Sequence, residues 1–136
     1  MAQPPPGGRP PAARKLPGPH YDLKVIGPVF RLAALGKKKA VYLVAQRVGV
    51  GDPDAERFIR EKLARLRPEN YESTVEMEEW GEDGDAVIAD VYGVSDEHGG
   101  WYIKFYVEHG RVQLVSCHEP EHDMTCTDGT KVKGQS

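Results

Sequence analysis

The stretch DAVIADVYGVSDEHGGWYIKFYVEHGRVQLVSCH, residues 85–118, predicts three consecutive antiparallel strands joined by two tight turns. Apolar and polar residues alternate along it, which is the period of strands that bury one face. Gly99-Gly100 and His109-Gly110 separate its β-branched and aromatic runs. Glycine-containing pairs between such runs are typical of hairpin turns, so the segment predicts a β-meander.

Helical patterns precede the meander. Residues 21–35 predict a first helix, with a kink or restart near Pro28 because proline removes a backbone donor. The helix is expected to end at Gly36, before a basic loop formed by Lys37, Lys38 and Lys39. The sequence of residues 40–50 fits a short buried helix or a strand, and periodicity alone does not decide between them.

The clearest helix covers residues 53–66. Asp52 is suited to the N-cap and Pro53 to the first helical position, and Pro68 is expected to stop the helix. From Tyr71 onward the period changes to two, which predicts a strand. In that strand Ser73, Val75 and Met77 are expected to share a face with Tyr71, and Glu72, Thr74, Glu76 and Glu78 are expected on the other.

The flanks of the chain have a different composition. Residues 1–19 are rich in proline and glycine and predict a disordered leader, residues 20–118 a single domain, and residues 119–136 a loose tail. No apolar run approaches the roughly 18–20 residues that span a membrane. The start lacks the apolar centre of a secretory signal, and the chain has only 2 cysteines. A cytoplasmic protein with reduced thiols and no membrane partner is expected.

The net charge of −3 hides an asymmetry between the two halves. Residues 1–70 hold 14 Lys or Arg against 6 Asp or Glu, whereas residues 71–136 hold 4 against 15, so the halves carry +8 and −11. Because phosphate backbones attract clustered Lys and Arg, RNA contacts are expected to involve the first half. The acidic second half is suited instead to a basic partner.

Several short motifs occur in a suggestive order. They are Pro19-His20-Tyr21-Asp22-Leu23, Asn70-Tyr71-Glu72-Ser73, Asp90-Val91-Tyr92, Tyr102-Ile103-Lys104-Phe105 and Val115-Ser116-Cys117-His118. In order and spacing they resemble the MqsR-type toxin ribonucleases of bacterial toxin–antitoxin systems, whose fold is RelE-like. The resemblance implies an α+β fold, with N-terminal helices packed on an antiparallel β-sheet, and it favours a helix for residues 40–50.

The same resemblance implies a function and a partner. Members of this family are endoribonucleases that cleave messenger RNA, and each is neutralised by a cognate antitoxin. The family's antitoxins are zinc-binding, helix-turn-helix, DNA-binding proteins. We therefore expect mRNA as substrate, an antitoxin protein as partner, and acid/base chemistry that needs no metal or other cofactor.

Candidate site residues follow from matching the family's active-site positions. The family has Lys, Gln, Tyr and a basic residue there, and this chain has Glu72, Ala89, Tyr102 and His118, so only Tyr102 matches. Glu72 as general base and His118 as general acid fit cleavage by 2′-hydroxyl attack. Tyr102 is suited to hydrogen-bond a phosphate oxygen. The substrate-binding cations are expected to be Lys104, Arg111 or Lys39.

Each of these residues also has an ordinary structural interpretation. Glu72 fits a solvated strand carboxylate, Tyr102 a cross-strand packing residue, and His118 a surface histidine at a strand end. The buried-strand position of Asp90 requires a partner, either Lys104 or a turn backbone. A zinc site formed by Cys117, His118, His122 and Cys126 is a further alternative, although Cys117 and His118 are adjacent and would point to opposite faces of a strand.

A second function of a different class remains open. Because the family's Lys and Gln are replaced and the sheet half is acidic, the chain also fits a catalytically silent RelE-like binding module. Such a module would engage a protein partner through its acidic sheet face. Convergence of His118, Tyr102 and Lys or Arg from the first half of the chain in one cleft would favour the enzyme. A cleft filled by the unopposed carboxylates of Glu72, Glu76 and Glu78 would favour the module.

Overall fold

The computed structural model describes residues 14–27, 34–35 and 39–135. A five-stranded antiparallel sheet has the order β1-β2-β3-β4-β5, so neighbouring strands in sequence are neighbours in space. Its strands are β1 Arg14–Leu16, β2 Tyr71–Met77, β3 Val87–Asp96, β4 Gly99–Glu108 and β5 Arg111–His118. The helices are α1 Leu23–Ile26, α2 Lys39–Val48 and α3 Asp52–Ala64, and a small hairpin pairs β6 Met124–Thr125 with β7 Lys131–Val132. The predicted α+β class with an antiparallel sheet is confirmed.

The main core lies between the helices and one face of the sheet. Val44 of α2 and Ile59 of α3 are 0% exposed, as are Trp101 and Phe105 of β4. The Arg47 guanidinium of α2 lies 4.4 Å from the Trp101 ring centroid. It donates to the carbonyl of His98 in the β3–β4 turn and to that of Gly100 in β4. The helices therefore cover one face of the sheet, which leaves the opposite face for a site.

The two predicted hairpin turns have different outcomes. His109 and Gly110 have φ of 53° and 74° between the paired residues Glu108 and Arg111, so this turn is confirmed. The turn expected at Gly99-Gly100 is wrong, because Asp96 pairs with Gly99 and the intervening residues 97–98 form the turn. Both glycines belong to β4, where a Cβ on Gly100 would collide with the Lys133 backbone.

The first helix is much shorter than residues 21–35. It is the single turn α1, capped by the Asp22 carboxylate, which accepts from the Lys24 N–H at 2.9 Å. Ala34 is not helical, since it forms a parallel bridge with Gln113 on the outer edge of β5. Its N–H and carbonyl satisfy backbone groups that this edge would otherwise leave unpaired. The kink predicted near Pro28 lies outside the described residues.

The second and third helices follow the sequence closely. Residues 40–50 are largely helical, within α2, which decides between the two structures that periodicity left open. Lys39, expected in a basic loop, is instead the first residue of α2, and residues 37–38 lie outside the described part. The N-cap of α3 is Gly51, not Asp52, and Asp52 begins the helix without capping it by a side-chain hydrogen bond. Its carboxylate still complements the positive helix start.

The described parts of residues 1–19 and 119–136 both pack into the fold. The disordered leader predicted for residues 1–19 is wrong at Arg14–Leu16, which forms the edge strand β1 against β2; residues 1–13 are outside the description. The loose tail predicted for residues 119–136 is also wrong. Met124, Cys126 and Val132 are each at most 4% exposed and pack on Val91 of the sheet. This burial of apolar surface holds the β6–β7 hairpin in place.

Asp90 ties the start of the domain to the sheet. It is 0% exposed, and its carboxylate accepts from the backbone N–H groups of His20 and Tyr21 at 2.9–3.1 Å and from the Thr74 hydroxyl at 2.6 Å. The sequence offered two possible partners for Asp90, and the backbone partner is the one present, supplied by His20 and Tyr21. Lys104 is not a partner, because it pairs with Val91 in the register and projects from the opposite face.

In the described part of the chain, no helix is long and apolar enough to cross a membrane.

Candidate active site

A cavity of about 360 Å³ lies on the sheet face opposite the main helices. Strands β2, β4 and β5 form its floor, and the segment that leads into the β6–β7 hairpin forms one wall. The lining residues are Glu72, Tyr102, Lys104, Ser116, His118, Pro120, Glu121, His122, Asp123 and Met124. Its size is within the range of pockets that hold small ligands.

Two irregularities in the sheet determine which side chains line this cavity. The register shifts between Tyr71 and Ser73, so Glu72 is an extra residue in β2. Glu72 therefore lines the cavity on the same face as Val75 and Met77, whereas simple alternation placed it opposite them. A second shift, between Lys104 and Phe105, leaves Val115 extra in β5 and brings Ser116 and His118 opposite β4 on this face.

The ring of His118 is fixed on both sides. Its Nδ1 lies 2.7 Å from the Glu119 carbonyl oxygen, and its ring stacks on Tyr102 with centroids 5.1 Å apart and planes at 13°. Because a carbonyl only accepts, Nδ1 carries the proton that forms this hydrogen bond. Nε2 is therefore the nitrogen left to exchange a proton with a bound molecule.

Tyr102 is a hydrogen-bond donor throughout the neutral range. Burial, together with the negative charges of Glu72 and Glu121, raises the pKa of its phenol to about 12. The hydroxyl therefore keeps its proton at neutral pH and can donate to an anionic oxygen.

Lys104 contributes an ammonium group to the floor of the cavity. Burial lowers the pKa of Lys104 below its usual value. Its ammonium lies 5.8 Å from the Tyr102 ring centroid, and within the described ranges no ion pair joins it to a carboxylate. A partly buried cation without an ion pair is costly for the fold and suited to an anionic ligand.

Lys104→Met is therefore expected to stabilise the protein, raising the thermal midpoint by about 2–5 °C at pH 7. The folded-state pKa of Lys104 is lowered, so its penalty is complete below that pKa and disappears as pH rises toward the unfolded value near 10.4. Thermal unfolding at pH 7 and pH 10 would measure this, with exposed Lys131→Met as control. Equal destabilisation by Lys104→Met at both pH values would contradict it.

The structure brings together four of the six predicted site residues: Glu72, Tyr102, Lys104 and His118. The other two lie away from this cavity. Lys39 is exposed at the start of α2, on the helical side of the sheet, and Arg111 is exposed at the opposite end of β5, where it pairs with Glu108. No described residue of the basic first half lines the cavity, and the lysine that does, Lys104, belongs to the acidic half.

Ser116, Pro120, Glu121, Asp123 and Met124 are lining residues that the sequence did not predict as part of a site, and His122 was predicted only within the alternative zinc site. The signal that could have found the wall is the recurrence of apolar residues at Met124, Cys126 and Val132, which anchors the hairpin. It is weak because the strands of that hairpin have only 2 residues each.

The cysteines do not form a metal site with the histidines. In the described part of the chain, no group of three or more His, Cys, Asp or Glu side chains could hold a metal ion. Cys117 is 1% exposed and packs in the core under the helices, on the face opposite His118. Burial raises the pKa of its thiol to about 12, so the thiol is protonated and inert.

Taken together, the cavity holds three carboxylates, two imidazoles, a phenol donor and an ammonium group. Carboxylates and imidazoles can move protons, and the phenol and the ammonium group can stabilise negative charge that develops on an oxygen.

The chain is an α+β protein with a cavity, lined by titratable side chains, on the face of an antiparallel sheet opposite the helices. A scan against protein-family models, a search of curated proteins and a search of solved structures each gave no match.

Proposed function

We propose that this protein is a toxin-type endoribonuclease that cleaves messenger RNA without a metal ion. The observation that carries the proposal is the convergence of Glu72, Tyr102, Lys104 and His118 in one cavity. Glu72 lies there only because of the bulge in β2, and His118 only because of the bulge in β5.

The chemistry assigned to these residues is an internal transesterification. The Glu72 carboxylate takes the proton of a ribose 2′-hydroxyl, and the 2′-oxygen forms a bond to phosphorus. The bond from phosphorus to the 5′-oxygen breaks, and Nε2 of protonated His118 gives its proton to that oxygen. The products are a 2′,3′-cyclic phosphate and a 5′-hydroxyl.

Lys104 and Tyr102 stabilise the charge of the phosphorane. The ammonium of Lys104 neutralises a non-bridging oxygen, and the Tyr102 hydroxyl donates a hydrogen bond to it. Stacking on Tyr102 and the hydrogen bond to Glu119 hold the His118 ring so that little reorientation is needed during the reaction.

The motif resemblance to MqsR-type toxins supports the same proposal from the sequence. It adds a cognate antitoxin as the neutralising partner and the cytoplasm, where messenger RNA is translated, as the place of action. The short motifs and the cavity coincide at Glu72, Tyr102 and His118.

A catalytically silent binding module is the second candidate, because a specific observation favours it. Glu121 and Asp123 line the same cavity as Glu72, and the second half of the chain carries a charge of −11. Carboxylates repel RNA phosphates and attract basic partners, so a module with this cavity would bind a Lys- or Arg-bearing segment.

Inducible expression in a bacterial host would separate the two candidates. The parent chain is expected to stop growth and fragment messenger RNA, and the double variant Glu72→Gln/His118→Ala is expected to do neither. Glu61→Gln, an exposed carboxylate on α3, is the matched control and is expected to behave as the parent. Normal growth and intact RNA with folded parent protein would contradict the ribonuclease proposal and favour the module.

A further inference from the structure

Two hydrogen bonds from residues 134–135 hold the wall of the cavity, residues 120–123, in place. The Gln135 N–H donates to the Pro120 carbonyl at 2.9 Å, and the Gly134 N–H donates to Asp123 Oδ1 at 2.9 Å. A Cβ on Gly134 would collide with the His122 backbone, so glycine permits this close contact. The wall is thus anchored to the β6–β7 hairpin and prearranged beside the floor.

The two sides of the cavity have different chemistry. The floor contributes Lys104, Ser116 and His118, which suit a phosphate and the ribose oxygens next to it. The wall contributes the carboxylate of Glu121 and the imidazole of His122, both exposed to solvent on the cavity side of the chain. A carboxylate on the wall would repel a second phosphate, so an uncharged base is better suited than a phosphate to that side of the cavity.

The wall has the two groups with which proteins contact an unpaired base. Imidazole rings stack on bases, and carboxylates accept hydrogen bonds from base amino groups. Asp123 Oδ1 accepts the Gly134 N–H, which fixes that carboxylate, whereas within the described residues no hydrogen bond or ion pair engages the Glu121 carboxylate. Glu121 is therefore the less constrained of the two. Adenine, cytosine and guanine carry an exocyclic amino group, whereas uracil offers only an N3–H between two carbonyl oxygens that a carboxylate repels.

We propose that Glu121 is a specificity-determining residue that selects an RNA base bearing an exocyclic amino group and disfavours uracil, with His122 stacking on that base. The inference rests on the proposed ribonuclease function and extends it to the choice of substrate. The base is unpaired, because its amino group must reach Glu121.

Mapping of cut sites tests this inference. The purified chain is incubated with a single-stranded RNA library of random sequence, and the new 5′-hydroxyl ends are sequenced. At one position beside the cut, uracil is expected to be depleted about tenfold with the parent chain. Glu121→Gln, whose amide can also donate to uracil, is expected to reduce this depletion to about twofold or less, and the control Glu61→Gln is expected to keep it.

A modified base checks the contact itself. Replacing adenosine at the selected position by purine riboside, which lacks the amino group, is expected to slow the parent about tenfold and leave Glu121→Gln unaffected. Cutting without base preference, or a preference that survives Glu121→Gln, would overturn the inference while the ribonuclease proposal stands. Absence of any cutting by the parent would overturn both.

Discussion

Purified His118→Ala protein is expected to cleave single-stranded RNA about 10²–10⁴-fold more slowly than the parent chain. His118 is the residue assigned to protonate the leaving 5′-oxygen, and its free Nε2 is available because Nδ1 donates to the Glu119 carbonyl. Glu72→Gln is expected to have an effect of similar size, since an amide cannot take the 2′-hydroxyl proton. Initial rates on a fluorescent RNA strand would measure both.

His109→Ala, an exposed histidine in the β4–β5 turn, is the control for both variants and is expected to retain the parent rate. Parent-like rates in both site variants would place the chemistry elsewhere.

Asp90→Ala is expected to lower the free energy of unfolding by about 3–4 kcal/mol. The substitution leaves the partly buried N–H groups of His20 and Tyr21 and the buried Thr74 hydroxyl without the acceptor that they share. Each unsatisfied buried donor costs about 1–3 kcal/mol, and partial entry of water reduces the sum. Urea unfolding followed by tryptophan fluorescence would measure the change.

Asp85→Ala is the matched control for Asp90→Ala. Asp85 is an exposed carboxylate just before β3, and its replacement is expected to change stability by about 0.5 kcal/mol or less. If Asp90→Ala were as mild as Asp85→Ala, the carboxylate would not be the link between residues 20–21 and the sheet.

The meander could be predicted from the sequence because its information is local. Strand period and the His109-Gly110 turn depend on neighbouring residues, and both are present as expected. The bulge at Glu72 could not be predicted, because one extra residue in a strand leaves the alternation on either side intact and depends on pairing with a distant strand.

The candidate site was predictable in part for the same reason. Tyr102 and Lys104 lie two residues apart on one strand, so their shared face could be inferred. His118 joins that face only through the bulge in β5, which local alternation does not predict. The wall residue Glu121 belongs to a segment whose position depends on a few buried apolar side chains, such as Met124 and Val132, packing on Val91. Contacts so distant in sequence leave little trace in local periodicity.

The products made from a defined RNA would test the proposed transesterification most directly. The purified chain is incubated in EDTA with a single-stranded RNA and with the same sequence bearing 2′-O-methyl groups, and the ends are identified by mass spectrometry. Only the unmodified strand is expected to be cut, into fragments with 2′,3′-cyclic phosphate and 5′-hydroxyl ends. An intact RNA strand, cutting of the methylated strand, or 5′-phosphate ends would contradict it.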